Sequence, residues 1–239
     1  MTIISCTSIG HLRNYGIQDG YQAFIPARIA VFSCQSWPIN ARFSGQVPIN
    51  IKDEALENIC SQFDQFVLKS FSNQPFMKGF TPKLIQALLA KENKEHLLNE
   101  IPQIWSHDPK ECPECSNSLS TYNQSIASKL NWQQWLNTVS TYTRYSDAAL
   151  LPLVISAFEY QVNDRGLLIS ERVLELNLLL IDSNNARLQW IGQRKASMRE
   201  QKMQTPGEKP SYPSYPPWER LYKRVFTEDI WQSFPGRQQ

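Results

Sequence analysis

The sequence predicts an α/β (α+β) domain: a central mixed sheet with a long C-terminal hairpin, packed by amphipathic helices. Two strand-like alternations joined by a polar turn predict the hairpin. Apolar stripes at spacings of three and four predict the helices. One continuous apolar run predicts a strand covered on both faces. Apolar residues make up 41% of the 239-residue chain, enough for a sizeable core. The formal net charge of +2 offers no electrostatic footprint for nucleic acid. No run approaches the roughly 18 apolar residues of a spanning helix, so membrane attachment would come through lipid or a partner.

Residues 1–26 read as a signal remnant and tether, broken by Gly10, Gly16, Gly20 and Pro26. An α/β domain follows over 27–195, with an inserted loop region near 91–131. Its first strand is Arg28–Ser33, β-branched and aromatic. Ala41–Ile51 reads as a loop or irregular edge strand. Leu56, Ile59, Cys60, Phe63, Phe66, Val67 and Phe71 fall on one helical stripe, with Asp53 and Glu54 at its positive end. Phe76–Phe80 is a short strand, and Thr81-Pro82 opens a second helix as N-cap and first-turn proline. Its apolar face is Leu84, Ile85, Leu88 and Leu89. Trp132, Trp135, Leu136 and Val139 mark a third helix.

Ala148–Tyr160 is the buried strand, although Pro152 would remove a ladder hydrogen bond. Asn163-Asp164-Arg165-Gly166 is turn chemistry. In Ser170–Ile181, Leu174, Leu176, Leu178 and Leu180 face one way, and Glu175 and Asn177 the other. Arg187–Gly192 returns as its partner. The cations from Arg194 to Lys202 read as a solvated flank. Residues 196–239 read as a Pro/Tyr-rich arm, loop over Ser197–Pro217, and a closing helix over Trp218–Phe234.

Cysteine spacing bears on location. Ile3-Ile4-Ser5-Cys6 matches a bacterial lipoprotein cleavage site: two aliphatic residues, a small residue, then cysteine. Cys6 is therefore the candidate lipidated residue, and Met1–Ser5 the stub of a signal peptide encoded upstream. The chain has five cysteines. Assigning Cys6 to lipid leaves four, which can pair. Cys112-Pro113-Glu114-Cys115 is the local disulfide candidate. Cys34 and Cys60 read as buried thiols, or as a second bridge if their α-carbons come within about 7 Å.

No catalytic set emerges. The chain lacks a Gly-x-Ser-x-Gly elbow and a phosphate loop, and no cofactor is expected. Glu54 with Glu57, and Glu92 with Glu95, lie on polar helix faces as solvated charges. His107, Cys112 and Cys115, with His96 as a fourth ligand, form the alternative metal set. The aromatic residues of the Trp132 helix and the arm serve either core filling or partner binding. Tyr212, Tyr215 and Trp218 are the partner-binding candidates, because a Pro-rich extended segment is pre-ordered.

Three phrases carry a family likeness. Arg28-Ile29-Ala30-Val31 looks like a first strand, Ser146-Asp147-Ala148-Ala149-Leu150 like an Asp-Ala-apolar strand entry. Leu178-Leu179-Leu180-Ile181-Asp182 followed by Leu188-Gln189-Trp190 looks like a hairpin whose return strand carries tryptophan. Together they resemble envelope lipoproteins built on the TolB N-terminal-domain fold. That group includes the curli-secretion lipoprotein CsgG and the activators of penicillin-binding proteins. The region 91–131 with its CPEC pair departs from the pattern, and the curli channel's membrane-spanning segments have no counterpart. The resemblance implies an envelope lipoprotein that binds proteins, and not a pore. The leading reading is a non-catalytic, lipid-anchored protein on the periplasmic face of an envelope membrane, binding another protein in assembly, secretion or regulation of a membrane enzyme. Its expected partners are the membrane, through the lipid, and an unidentified envelope protein, with homo-oligomerisation open. The alternative is a cytosolic protein with a CxxC zinc or redox site.

Overall fold

The computed structural model describes residues 16–17, 24–36, 49–50, 53–72, 78–101, 127–143 and 146–236. A mixed sheet lies between two helical layers, the α+β arrangement that the apolar spacing predicts. The strands are β1 (Gly16–Ile17), β2 (Arg28–Val31), β3 (Gln35–Ser36), β4 (Ile49–Asn50), β5 (Lys78–Phe80), β6 (Ala148–Asp164), β7 (Leu167–Asp182) and β8 (Leu188–Met203). The helices are α1 (Asp53–Ser72), α2 (Pro82–Lys91), α3 (Leu130–Tyr142) and α4 (Trp218–Val225). Shorter 3-10 helices span Glu95–Asn99 and Glu228–Trp231.

The sheet order is β1-β8-β7-β6-β2-β5, with β3 and β4 also pairing β6. β2 runs parallel to both β5 and β6, whereas β6, β7 and β8 form an antiparallel ribbon. Strands of 16 or 17 residues make this ribbon the longest feature of the sheet. Arg165 and Gly166, both at positive φ (51° and 86°), close its first turn. That geometry suits the two-residue turn that follows the ribbon's twist. Asn163 accepts the Gly166 N–H at 2.9 Å.

Alternate residues of β6 feed opposite layers. Ala148 and Leu150 join Ile59, Phe63 and Val67 of α1, while Ala149, Leu151 and Leu153 join Ile85, Leu89, Trp132 and Trp135 of α2 and α3. Ile59, Phe63 and Val67 are fully buried, each contributing about 1.5–3 kcal/mol relative to an exposed side chain. The tryptophans of α3 are core: Trp132 and Trp135 stack at 5.1 Å, and Trp135 Nε1 donates to the Leu97 carbonyl at 2.8 Å. Thr81 caps α2, accepting the Leu84 N–H at 3.3 Å. Leu84, placed on the apolar face by spacing, is 43% exposed.

Pro152 sits inside β6 without breaking the ladder to β7. Phe32 N–H donates to the Leu150 carbonyl, so Leu150 directs its polar groups to the outer edge, and so does the residue two positions on. β2 ends opposite Leu150 and β3 begins opposite Leu153. The missing N–H of Pro152 falls in that gap.

Four sequence expectations need correction. β8 continues to Met203, so Ser197–Met203 is strand rather than loop. These residues pair with β7 from Val173 back to Leu167. The closing helix ends at Val225 and resumes as a 3-10 helix at Glu228. Gly16 and Ile17, assigned to the tether, pair with Ile191 and Trp190. Of the two readings of Cys34 and Cys60, the buried thiols give way to the bridge, with α-carbons 5.1 Å apart.

The phrases behind the family likeness have structural work. Asp147 Oδ2 accepts the N–H groups of Ala27 and Arg28 at 3.0 and 2.8 Å, fixing the start of β2 beside β6. Asp182 is buried and holds the turn after β7, accepting Asn184 N–H and Asn185 Nδ2, each at 2.8 Å. Trp190 is fully buried, 4.8 Å edge-on to Phe234, and donates to the Gln232 carbonyl at 3.1 Å.

Candidate functional site

Two clusters gather polar chemistry on this scaffold. The first lies where the arm of residues 204–217 crosses the ribbon. Leu174, Leu176, Leu178 and Leu180 place the even positions of β7 on the α1 and α4 side, so Ser170 and Arg172 continue that face beyond the helices. Arg172 meets Glu159 of the neighbouring strand through Nε at 2.8 Å and Nη2 at 2.6 Å, and donates through Nη1 to the Pro216 carbonyl at 2.6 Å. Its guanidinium lies over the rings of Trp218 at 4.8 Å and Tyr215 at 5.5 Å. Ser170, fully buried, donates to the Pro213 carbonyl at 2.6 Å and accepts from Gln161 Nε2 at 3.1 Å.

Arginine suits this position because a planar fork can bind carboxylate and carbonyl while both faces stack on rings. Burial raises the pKa of Tyr215; Glu159 adds to the effect and Arg172 opposes it. Burial also raises Tyr222, whose hydroxyl accepts from Asn58 at 3.5 Å. Tyr212, Tyr215 and Trp218, named for partner binding, are all half-buried along this seam. Spacing gave no sign of Arg172 or Glu159, because they meet across the strands, thirteen residues apart, and Arg172 reaches Pro216 forty-four residues on.

The second cluster is the Cys34–Cys60 disulfide with Asp64. Asp64 stands one helical turn after Cys60, and its Oδ1 accepts the Cys34 N–H at 2.8 Å. Burial raises its pKa from 3.8 to about 6, against a smaller opposing effect of the Cys34 hydrogen bond. Because the folded-state pKa is raised, the protonated carboxyl stabilises the fold. That stability is present below about pH 4 and is lost as pH rises through about 6. Asp64→Asn retains an acceptor and removes the charge. It is expected to raise Tm above pH 7 by the equivalent of about 1 kcal/mol, allowing for partial exposure, and to flatten the pH 4–7 dependence. Thermal melts across that range check both effects.

A cavity of about 200 Å³ lies where β2 ends and α2 begins, floored by Phe32, Ile85, Leu98 and Ile101 with Lys83 and Gln86 on its wall. The carboxyl end of a central parallel strand is where open sheets form crevices. Cys6, His107, Cys112 and Cys115 lie outside the described residues. Among the described residues no three His, Cys, Asp or Glu side chains gather as a metal site. His96 instead faces Glu100 at 3.8 Å on an exposed turn. Glu54, Glu57, Glu92 and Glu95 are solvent-exposed, as their spacing predicts.

No family model and no curated protein matches the chain. Among solved structures, lipoprotein GNA1162 from Neisseria meningitidis aligns with 78% of this chain and 88% of its own, at 12% identity and a TM-score of 0.36. A PelC dodecamer from Paraburkholderia phytofirmans aligns with 99% of this chain and 100% of its own, at 9% identity and a TM-score of 0.32. A PelC dodecamer from the same organism, without the leucine-to-methionine substitution that the former carries, aligns with 96% and 100%, at 10% identity and a TM-score of 0.34. At these scores the likenesses identify no family.

Proposed function

We propose that this chain is a lipid-anchored bacterial envelope protein that acts by binding another protein on the periplasmic face. The observation that supports it most is the Cys34–Cys60 disulfide. Structural disulfides persist in oxidising compartments and are rare in the cytosol. With that pair assigned, Cys6 and the CPEC pair remain of the five cysteines. The Ile3-Ile4-Ser5-Cys6 sequence gives Cys6 a lipid to carry, and Cys112 and Cys115 can bridge each other. The same disulfide argues against the cytosolic zinc or redox alternative.

The binding surface in this reading is the seam of Tyr212, Tyr215 and Trp218 on the ribbon. Half-buried aromatic residues around a stacked arginine form the type of anchor that dominates protein interfaces. The protein is expected in the membrane fraction of cells and Cys6→Ala in the soluble periplasmic fraction. Immunoblotting of fractions checks this. Wild type in the cytosol, or Cys6→Ala still sedimenting with membranes, sinks the proposal.

A further inference from the structure

The Cys34–Cys60 bridge closes a loop whose two short strands both cover one sheet edge. β3 lies directly after Cys34 and pairs with β6 at Leu153 and Val154. β4 precedes α1 and pairs with β6 at Phe158 and Glu159. β6 is bulged between Val154 and Ser156, where one short strand gives way to the other. Among the described residues these are the only pairings on the outer edge of β6 beyond Leu150. Two-residue strands hold few ladder hydrogen bonds, so their position depends on what anchors them. The anchor is α1, fixed in the core by Ile59, Phe63 and Val67, to which Cys60 ties Cys34.

We propose that the Cys34–Cys60 disulfide is a redox latch that holds β3 and β4 as a cap on the outer edge of β6, and that a dithiol reductant uncovers this edge. A thiolate of the reductant bonds to one cysteine sulfur. The S–S bond breaks, and the other sulfur leaves with the electron pair and takes up a proton. The reductant's second thiol, as thiolate, then attacks the mixed disulfide. The released cysteine is protonated, leaving two protein thiols and an oxidised reductant. Both sulfurs belong to half-buried residues, so the pair is partly open to attack. The hydrogen bond from Cys34 N–H to Asp64 is not part of the exchange and remains as a weaker tie of the cap to α1. An open strand edge is a template for pairing with another chain, so the latch keeps the ribbon closed while the compartment is oxidising.

Hydrogen exchange read by mass spectrometry tests the latch on the whole protein. The oxidised protein, the protein reduced with dithiothreitol and the Cys34→Ser variant are compared. Reduction or Cys34→Ser is expected to speed exchange in Leu153–Tyr160 by about tenfold or more, with Leu176–Leu180 of β7 unchanged. Unchanged exchange in Leu153–Tyr160 overturns the proposal. Equal acceleration in β7 also overturns it, because the bridge would then support the whole fold rather than the edge.

Discussion

An alanine at Gly192 is expected to destabilise the fold by about 3 kcal/mol, a fall in Tm of roughly 10 °C for a chain of this size. Gly192 lies on β8 where the 3-10 helix Glu228–Trp231 crosses the strand. A β-carbon there would stand 2.3 Å from the Ile230 carbonyl oxygen and 2.5 Å from Trp190 Cη2. The first contact is with backbone, and the second with a fully buried ring. Neither can turn aside, so the C-terminal segment has to lift. Lifting it separates Trp231 and Phe234 from Trp190, which they meet at 6.1 and 4.8 Å. Thermal denaturation followed by far- and near-ultraviolet circular dichroism checks the result. The aromatic signal should fall in native buffer while the sheet signal persists. An unchanged Tm would mean that the segment packs on β8 less tightly than these distances state.

Arg172→Ala is the second large effect. The substitution removes the fork that binds Glu159 and Pro216 and leaves Glu159 partly buried without its cation. Removing one partner of a fully buried pair typically costs 3–5 kcal/mol. The side chains here are 17% and 22% exposed, so the expected loss is about 2–4 kcal/mol. Arg172→Lys keeps the charge but loses the planar fork and the stacking, and should fall between alanine and wild type. Hydrogen exchange should rise over Tyr212–Arg220 and stay low in Leu176–Leu180, because the arm loosens before the ribbon does. The proposed partner binding at this seam should weaken in parallel, since the cation stacked on Tyr215 and Trp218 is gone.

The elements legible in the sequence are those set by local periodicity. The α1 stripe, the Thr81 cap and the faces of Leu174 to Leu180 each follow from residues a few positions apart. β8 beyond Gly192 was not legible in that way. Arg194 to Lys202 reads as a solvated flank because most of its side chains are polar, yet the backbone groups that face β7 are paired with it. The ladder from Leu167 to Ile181, not side-chain burial, sets the length of that strand. The Cys34–Cys60 bridge is similar: it needs β2 and α1 side by side, which spacing alone does not impose. The seam at Arg172 was half legible. The proline and tyrosine content marked the arm, but the arginine that clamps it comes from a strand more than forty residues earlier.

Lipid on Cys6 is the claim on which location and mode of action both depend. Metabolic labelling with an alkyne fatty acid, in cells expressing the gene from its own locus, tests it most directly. Wild type is predicted to carry the label and Cys6→Ala to carry none, at equal protein levels. An unlabelled wild type, or a Cys6→Ala variant labelled as strongly as wild type, would contradict it.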